Sequence, residues 1–227
     1  MKPKLLLLHG ALGTRNQFNY LRSHLEDHFE LFDFNFDGHG GVPATTYSIA
    51  QFAENTANYL KEQNIEDCFV FGYSMGGYVA LQLERQRPGT FQKIVTLGTK
   101  FGWTPESAAK EVKMLNPDVI EEKVPRFGQK LKEDHEPLDW KEVIRNTARM
   151  MLDLGNGAAL SETDFGSITT EVHLGLGSED TMVGVEETEQ IMKWLPNAGM
   201  KILEGVPHPI EKANPESVSR HIISSLS

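Results

Sequence analysis

Cysteine is nearly absent: Cys68 is the only one in 227 residues. That excludes an internal disulfide and fits a reducing compartment, with Cys68 itself read as a buried strand thiol. Long apolar runs are also missing. The opening MKPKLLLLHG holds four consecutive leucines, short of the about 7–15 residues of a signal-peptide core and the about 20 of a membrane span. The chain is therefore read as cytoplasmic, with no membrane partner. Basic charge is scarce too. Lys and Arg total 22 against 32 Asp and Glu, a net charge of −10 with no basic cluster to offset it. Nothing here would neutralise a phosphate backbone, so nucleic acid is excluded as a partner. His24 and His28 have a metal-ligand spacing, but no third ligand accompanies them. No metal and no cofactor are expected.

The residues that are present alternate between strand and helix patterns. Leu5–Leu8 reads as a strand buried on both faces. Phe18, Leu21 and Leu25 follow at helical spacing. Phe32, Phe34 and Phe36 then share one face of a strand with Asp33 and Asn35 opposite, as expected at a sheet edge. A helix beginning near Ser48 buries Ile49, Phe52, Ala53, Thr56 and Leu60. Phe69–Phe71 reads as a strand, Met75 to about Arg87 as a helix, and Lys93–Leu97 as another strand. From about Trp103 to Phe165 the chain is polar and helix-rich, with Val143, Ile144, Thr147, Met151 and Leu152 marking one amphipathic face. Strand and helix resume at Glu171–Leu176, Val185–Trp194 and Met200–Leu203. The last helix has Asn214 as N-cap, Pro215 in its first turn, and Val218, Ile222 and Leu226 on one face. The pattern predicts a doubly wound α/β fold, a mostly parallel sheet of about six strands in a core of residues 1–102 and 166–227. Residues 103–165 are too long for a loop and read as an inserted helical cap.

Ser74 lies in FVFGYSMGGYVAL, between a strand and a helix. Chemistry in parallel α/β sheets sits at the carboxyl ends of strands, where this serine falls. Gly72 and Gly76 would let the helix start press against the strand, with the hydroxyl projecting from a sharp turn. A serine hydroxyl needs a base to accept its proton, and that base needs an acid to orient it. Eight histidines compete for the first role. His208 follows the last strand, near the C-terminus. His9 ends the first strand and His39 sits in a Gly-rich turn, so both read as structural; His135, His173 and His221 have no local constellation.

The chain resembles the α/β-hydrolase family over nearly all its length. GYSMGG resembles the nucleophile elbow and LLLLHGALG the first core strand with its oxyanion-hole loop. DGHGG resembles the Gly-rich turn after the next strand. GLGSEDTMV resembles the acid-bearing loop and EGVPHPIEKANPE the loop of the catalytic histidine. The two strands that usually open that sheet are expected to be missing, since four residues precede Leu5. The resemblance implies a triad of Ser74, Asp180 and His208, with Glu179 as the alternative acid. It implies an oxyanion hole from the backbone of Met75 and of Ala11 or Leu12.

A serine in the elbow argues against the dehalogenase and epoxide hydrolase branches, which use aspartate. Tyr78 stands where a related menaquinone-pathway lyase usually has arginine. The expected activity is hydrolysis of a small ester or thioester through an acyl-enzyme. A carbon–carbon bond hydrolase or lyase, and a non-catalytic receptor for a small molecule, are the alternatives. Tyr73, Trp103 and Trp140 are the expected substrate-pocket residues. Oligomeric state is not legible.

Overall fold

Leu5, Leu6, Leu7 and Leu8 are all fully buried, as a strand covered on both faces requires. A computed structural model describes residues 2–227. Its strands are β1 (Lys4–Leu8), β2 (Glu30–Asp33), β3 (Cys68–Tyr73), β4 (Phe91–Leu97), β5 (Glu171–Glu179) and β6 (Ala198–Pro207). Its α-helices are α1 (Arg22–Leu25), α2 (Ile49–Glu62), α3 (Met75–Gln86), α4 (Pro105–Glu111), α5 (Pro117–Lys123), α6 (Pro125–His135), α7 (Trp140–Asp153), α8 (Glu162–Gly166), α9 (Val185–Trp194) and α10 (Pro215–Leu226).

The strands form one sheet in the order β2-β1-β3-β4-β5-β6, every pair parallel. Successive side chains point to opposite faces. Leu6, Leu8 and Val70 therefore join a core with α2 and α3, while Leu5, Leu7, Phe71 and Val95 join a second core with α10. Strand order runs one way from β1 to β2 and the other way from β3 onward. Such a reversal opens a crevice at the carboxyl ends of the two central strands. Here it separates the loop after β1 from the turn after β3.

Local signals account for several boundaries. Ser48 caps α2 by accepting from the Gln51 N–H at 3.1 Å. Asn214 caps α10 through the Glu216 N–H at 2.8 Å, with Pro215 following. Other expectations need correction. Phe18, Leu21 and Leu25 are buried, but a 3₁₀ turn (Arg15–Phe18) and the short α1 carry them instead of one helix. β2 lies at the sheet edge yet ends at Asp33, so Phe34 and Phe36 follow the strand. Phe34 stacks on Tyr59 and Phe36 on Phe52. Asp33 is buried, because Arg15, at 2.7 Å, and Arg22 close over its carboxylate. The buried face of α7 runs through Trp140, Val143, Ile144, Thr147 and Met150, not Met151 and Leu152. Helices α4–α8 all fall between β4 and β5. No helix among the described residues is long and apolar enough to cross a membrane.

Candidate active site

Ser74 sits where β3 turns into α3, and the closeness of that turn dictates its neighbours. A Cβ at Gly72 would lie 2.3 Å from the Gly77 nitrogen, and one at Gly76 2.0 Å from the Leu8 carbonyl oxygen. Neither backbone atom can yield, so both positions require glycine. Ser74 itself holds φ 50° and ψ −116°, a conformation that costs a residue with a side chain about 1–3 kcal/mol. Its surroundings hold it there. Its N–H donates to the Leu97 carbonyl at 2.8 Å. Its carbonyl accepts from the Gly77 N–H at 3.1 Å and the Thr99 hydroxyl at 3.0 Å.

His208 lies just beyond β6, with Nε2 3.5 Å from Ser74 Oγ and Nδ1 2.8 Å from Asp180 Oδ2. Asp180 follows β5. Its other oxygen accepts from the Met182 and Val183 N–H groups at 2.8 and 2.9 Å. Burial alone would push the Asp180 carboxyl up. The hydrogen bond and charge of His208, with the two amides, outweigh burial and hold it below the usual carboxylate range. An ionised Asp180 accepts a hydrogen bond from the Nδ1–H of His208, which leaves the Nε2 lone pair facing Ser74. The Tyr73 hydroxyl donates to the His208 carbonyl at 2.6 Å and steadies that loop. Glu179, the alternative acid, is exposed at the end of β5.

Ala11, Ser74, Met75 and His208 line one cavity of about 50 Å³. Met75 opens α3, so its N–H has no intrahelical acceptor. Ala11 and Leu12 occupy a turn closed by the Gly13 N–H on the Gly10 carbonyl at 3.1 Å. Of the expected pocket residues, Trp103 lines this cavity. Tyr73 instead backs His208, and Trp140 packs with Ile120, Leu131 and Ile144 among helices α5–α7. Lys100, Glu111, Met182 and Val183 line the cavity without having been singled out from sequence. Lys100 Nζ stands 3.5 Å from Glu111 and 3.8 Å from Glu187. Lys100 follows β4, so the positional rule that marked Ser74 could have found it. Glu111, on an inserted helix, carries no such signal. His24 and His28 are outside any metal-binding group among the described residues.

Three buried histidines lie close together. His9 Nδ1 is 2.9 Å from the Gly10 carbonyl and its Nε2 accepts from the Phe36 N–H at 3.3 Å. His39 Nε2 meets the Tyr47 hydroxyl at 2.8 Å. His135 reaches them from α6, its ring centroid 5.8 Å from that of His39. Burial pulls His9 down to about 4, and His221, on α10, likewise to about 4. Burial also lowers His39 and His135. These groups are neutral when folded and protonate more readily when unfolded, so acid favours the unfolded chain. The loss begins near the unfolded value of 6.5 and grows as pH falls toward the folded value. At pH 5 it should reach about 2 kcal/mol each for His9 and His221. The lowered carboxylates still contribute most of their stabilisation there, since it is lost as pH falls through and below the ordinary carboxylate range. Denaturant unfolding should therefore show a clearly smaller free energy at pH 5 than at pH 7. Equal values would contradict neutral burial of these rings.

The comparisons with known proteins agree with this architecture. The family model described as serine aminopeptidase, S33, matches residues 1–212. A protein of Serratia proteamaculans named as a carbamate hydrolase, RutD, is 24% identical over 100% of this chain and 91% of its own length. A pimeloyl-[acyl-carrier protein] methyl ester esterase of Aromatoleum aromaticum is 34% identical, over 48% of this chain and 42% of its own. The crystal structure of a hydrolase from Pseudomonas aeruginosa superposes with a TM-score of 0.78 at 17% identity, covering 100% of this chain and 90% of that one. The fold is thus shared with solved hydrolases at low identity. With the family model spanning nearly the whole sequence, the chain belongs to the α/β-hydrolase family and is a hydrolase.

Proposed function

We propose that this protein is a serine hydrolase that cleaves a small ester or thioester through an acyl-enzyme on Ser74. The observation that carries the reading is the single imidazole of His208 bridging Ser74 Oγ, at 3.5 Å, and Asp180, at 2.8 Å. The longer of the two contacts is of the kind that tightens when substrate binds. His208 accepts the hydroxyl proton as Oγ attacks the carbonyl carbon, while Asp180 stabilises the imidazolium without taking the proton. Developing charge on the carbonyl oxygen falls to the N–H groups of Met75 and of Ala11 or Leu12. His208 then passes the proton to the leaving alcohol or thiol. Water repeats the sequence to release the acid. The two named relatives, one for a carbamate and one for a methyl ester, both imply attack at a carbonyl carbon, which supports the same chemistry here.

Residues 103–165 serve as the cap, supplying Trp103, Met150, Met151 and Leu154 to the cavity wall. The cavity is small, about 50 Å³. A short acyl group is the matching substrate. A panel of p-nitrophenyl esters, with matching thioesters, tests this reading. kcat/KM should be highest for acetyl to butanoyl groups and fall steadily for octanoyl and longer chains. A preference for long chains would contradict the assignment of this cavity to the acyl group, and no turnover of any ester or thioester would contradict the activity.

A further inference from the structure

We propose that His135, carried by the inserted helices, is a positioning residue for the oxyanion loop. Its Nε2–H holds the Leu12 carbonyl and so fixes the loop that presents the N–H of Ala11 or Leu12 to the substrate oxygen. The proposal rests on the Ser74 reading above and adds to it a role for the cap in catalysis.

His135 is fully buried at the end of α6. Its Nδ1 accepts from the Gly40 N–H at 3.1 Å, and its Nε2 stands 3.1 Å from the Leu12 carbonyl oxygen. Because an N–H occupies the Nδ1 lone pair, the ring proton must sit on Nε2 and point at Leu12. Burial disfavours the charged form, so this tautomer persists at neutral pH.

Leu12 needs such a hold. It has φ 59°, a left-handed conformation that leucine rarely adopts. Besides the Gly13–Gly10 hydrogen bond that closes the turn, two contacts hold it there, and both come from the inserted helices. One is the His135 hydrogen bond. The other is the Leu12 side chain, which packs against the cluster of Ile120, Leu131, Trp140 and Ile144. On the core side the loop is tied by the Gly10 N–H donating to Gln17 Oε1 at 3.0 Å.

The Gly-rich turn after β2 gains a purpose from this arrangement. A Cβ at Gly41 would lie 2.8 Å from the Glu136 carbonyl oxygen. The turn thus sits directly against the end of α6 and offers the Gly40 N–H that sets the His135 tautomer. The DGHGG motif is a dock for the cap histidine, and the cap histidine fixes the loop that faces Ser74.

Steady-state turnover of a short p-nitrophenyl ester by the wild type, Ser74→Ala, His135→Ala, His135→Asn and His135→Gln tests this, with thermal midpoints measured alongside. Glutamine can place an N–H near the Nε2 position, whereas asparagine reaches only the Nδ1 position. His135→Ala and His135→Asn should lose about 10²-fold in kcat with KM little changed, the scale of a misplaced catalytic group. His135→Gln should recover most of that loss. Affinity for an alkyl boronic acid, whose tetrahedral adduct uses the oxyanion donors, should fall in the same order. Wild-type kcat in His135→Ala would overturn the proposal. So would equal losses in all three variants that follow their thermal midpoints, since that marks simple packing. A wild type without Ser74-dependent turnover would overturn the underlying reading and the proposal with it.

Discussion

Replacing Ser74 by alanine is expected to lower kcat on a short ester by about 10⁶-fold, the scale seen when the nucleophile of such a triad is removed. No other side chain is placed to substitute. Among the described residues, the Ser74 hydroxyl is the side-chain group hydrogen-bonded to His208 Nε2, and Asp180 behind it is committed to Nδ1 and two amides. The same position offers an independent check on the backbone. Alanine keeps the cost of φ 50°, whereas glycine adopts that region freely. Ser74→Gly should therefore be more stable than Ser74→Ala by about 1–3 kcal/mol in denaturant unfolding. Residual activity within about 100-fold of wild type in Ser74→Ala would place the chemistry elsewhere.

Exchanging Asp180 for asparagine has the second largest expected effect, about 10⁴-fold in kcat near neutral pH. The reason lies in the fixed partners of the carboxylate. One oxygen accepts from the Met182 and Val183 N–H groups, so the asparagine carbonyl must take that place. The amide NH₂ is then directed at His208 Nδ1, where the wild type has an acceptor. His208 would have to carry its proton on Nε2, and that tautomer cannot accept from Ser74. Thermal stability should change far less than activity, because the backbone contacts survive. A loss below about 100-fold would mean that Asp180 does not set the tautomer of His208.

Features written in neighbouring residues were legible before the fold was known. Ser48 and Asn214–Pro215 mark helix starts, since capping needs only a side chain and the amides two or three positions on. The four buried leucines of β1 and the Gly72–Ser74–Gly76 spacing are equally local. Strand ends were less legible. β5 and β6 run on into polar residues, where Glu179 pairs with Pro207 across a shift in register and Ser178 Oγ accepts from the Gly205 N–H at 2.9 Å. Asp33 looked like a solvated edge residue because the arginines that cover it come from another segment.

Within the site, the family resemblance grouped Ser74, Asp180 and His208, with Glu179 as the alternative acid. The fold brings the first three side chains together in the order Ser74–His208–Asp180, with successive contacts of 3.5 and 2.8 Å. The pocket was harder. Trp103 and Trp140 look alike in sequence, both aromatic and both in the insertion. One faces the cavity and the other packs with Ile120, Leu131 and Ile144 among helices α5–α7, a difference set by helix packing. His135 showed no local pattern because its partners, Leu12 and Gly40, lie 123 and 95 residues away.

A fluorophosphonate probe tests most directly whether the Ser74 hydroxyl is activated by His208, because it reacts fastest with a serine whose proton a base accepts and needs no knowledge of the substrate. Folded wild-type protein should take up one equivalent, mapped to Ser74 by peptide mass spectrometry, and His208→Ala should label slower by orders of magnitude. Labelling at another serine, or equal rates with and without the imidazole, would contradict the proposed site.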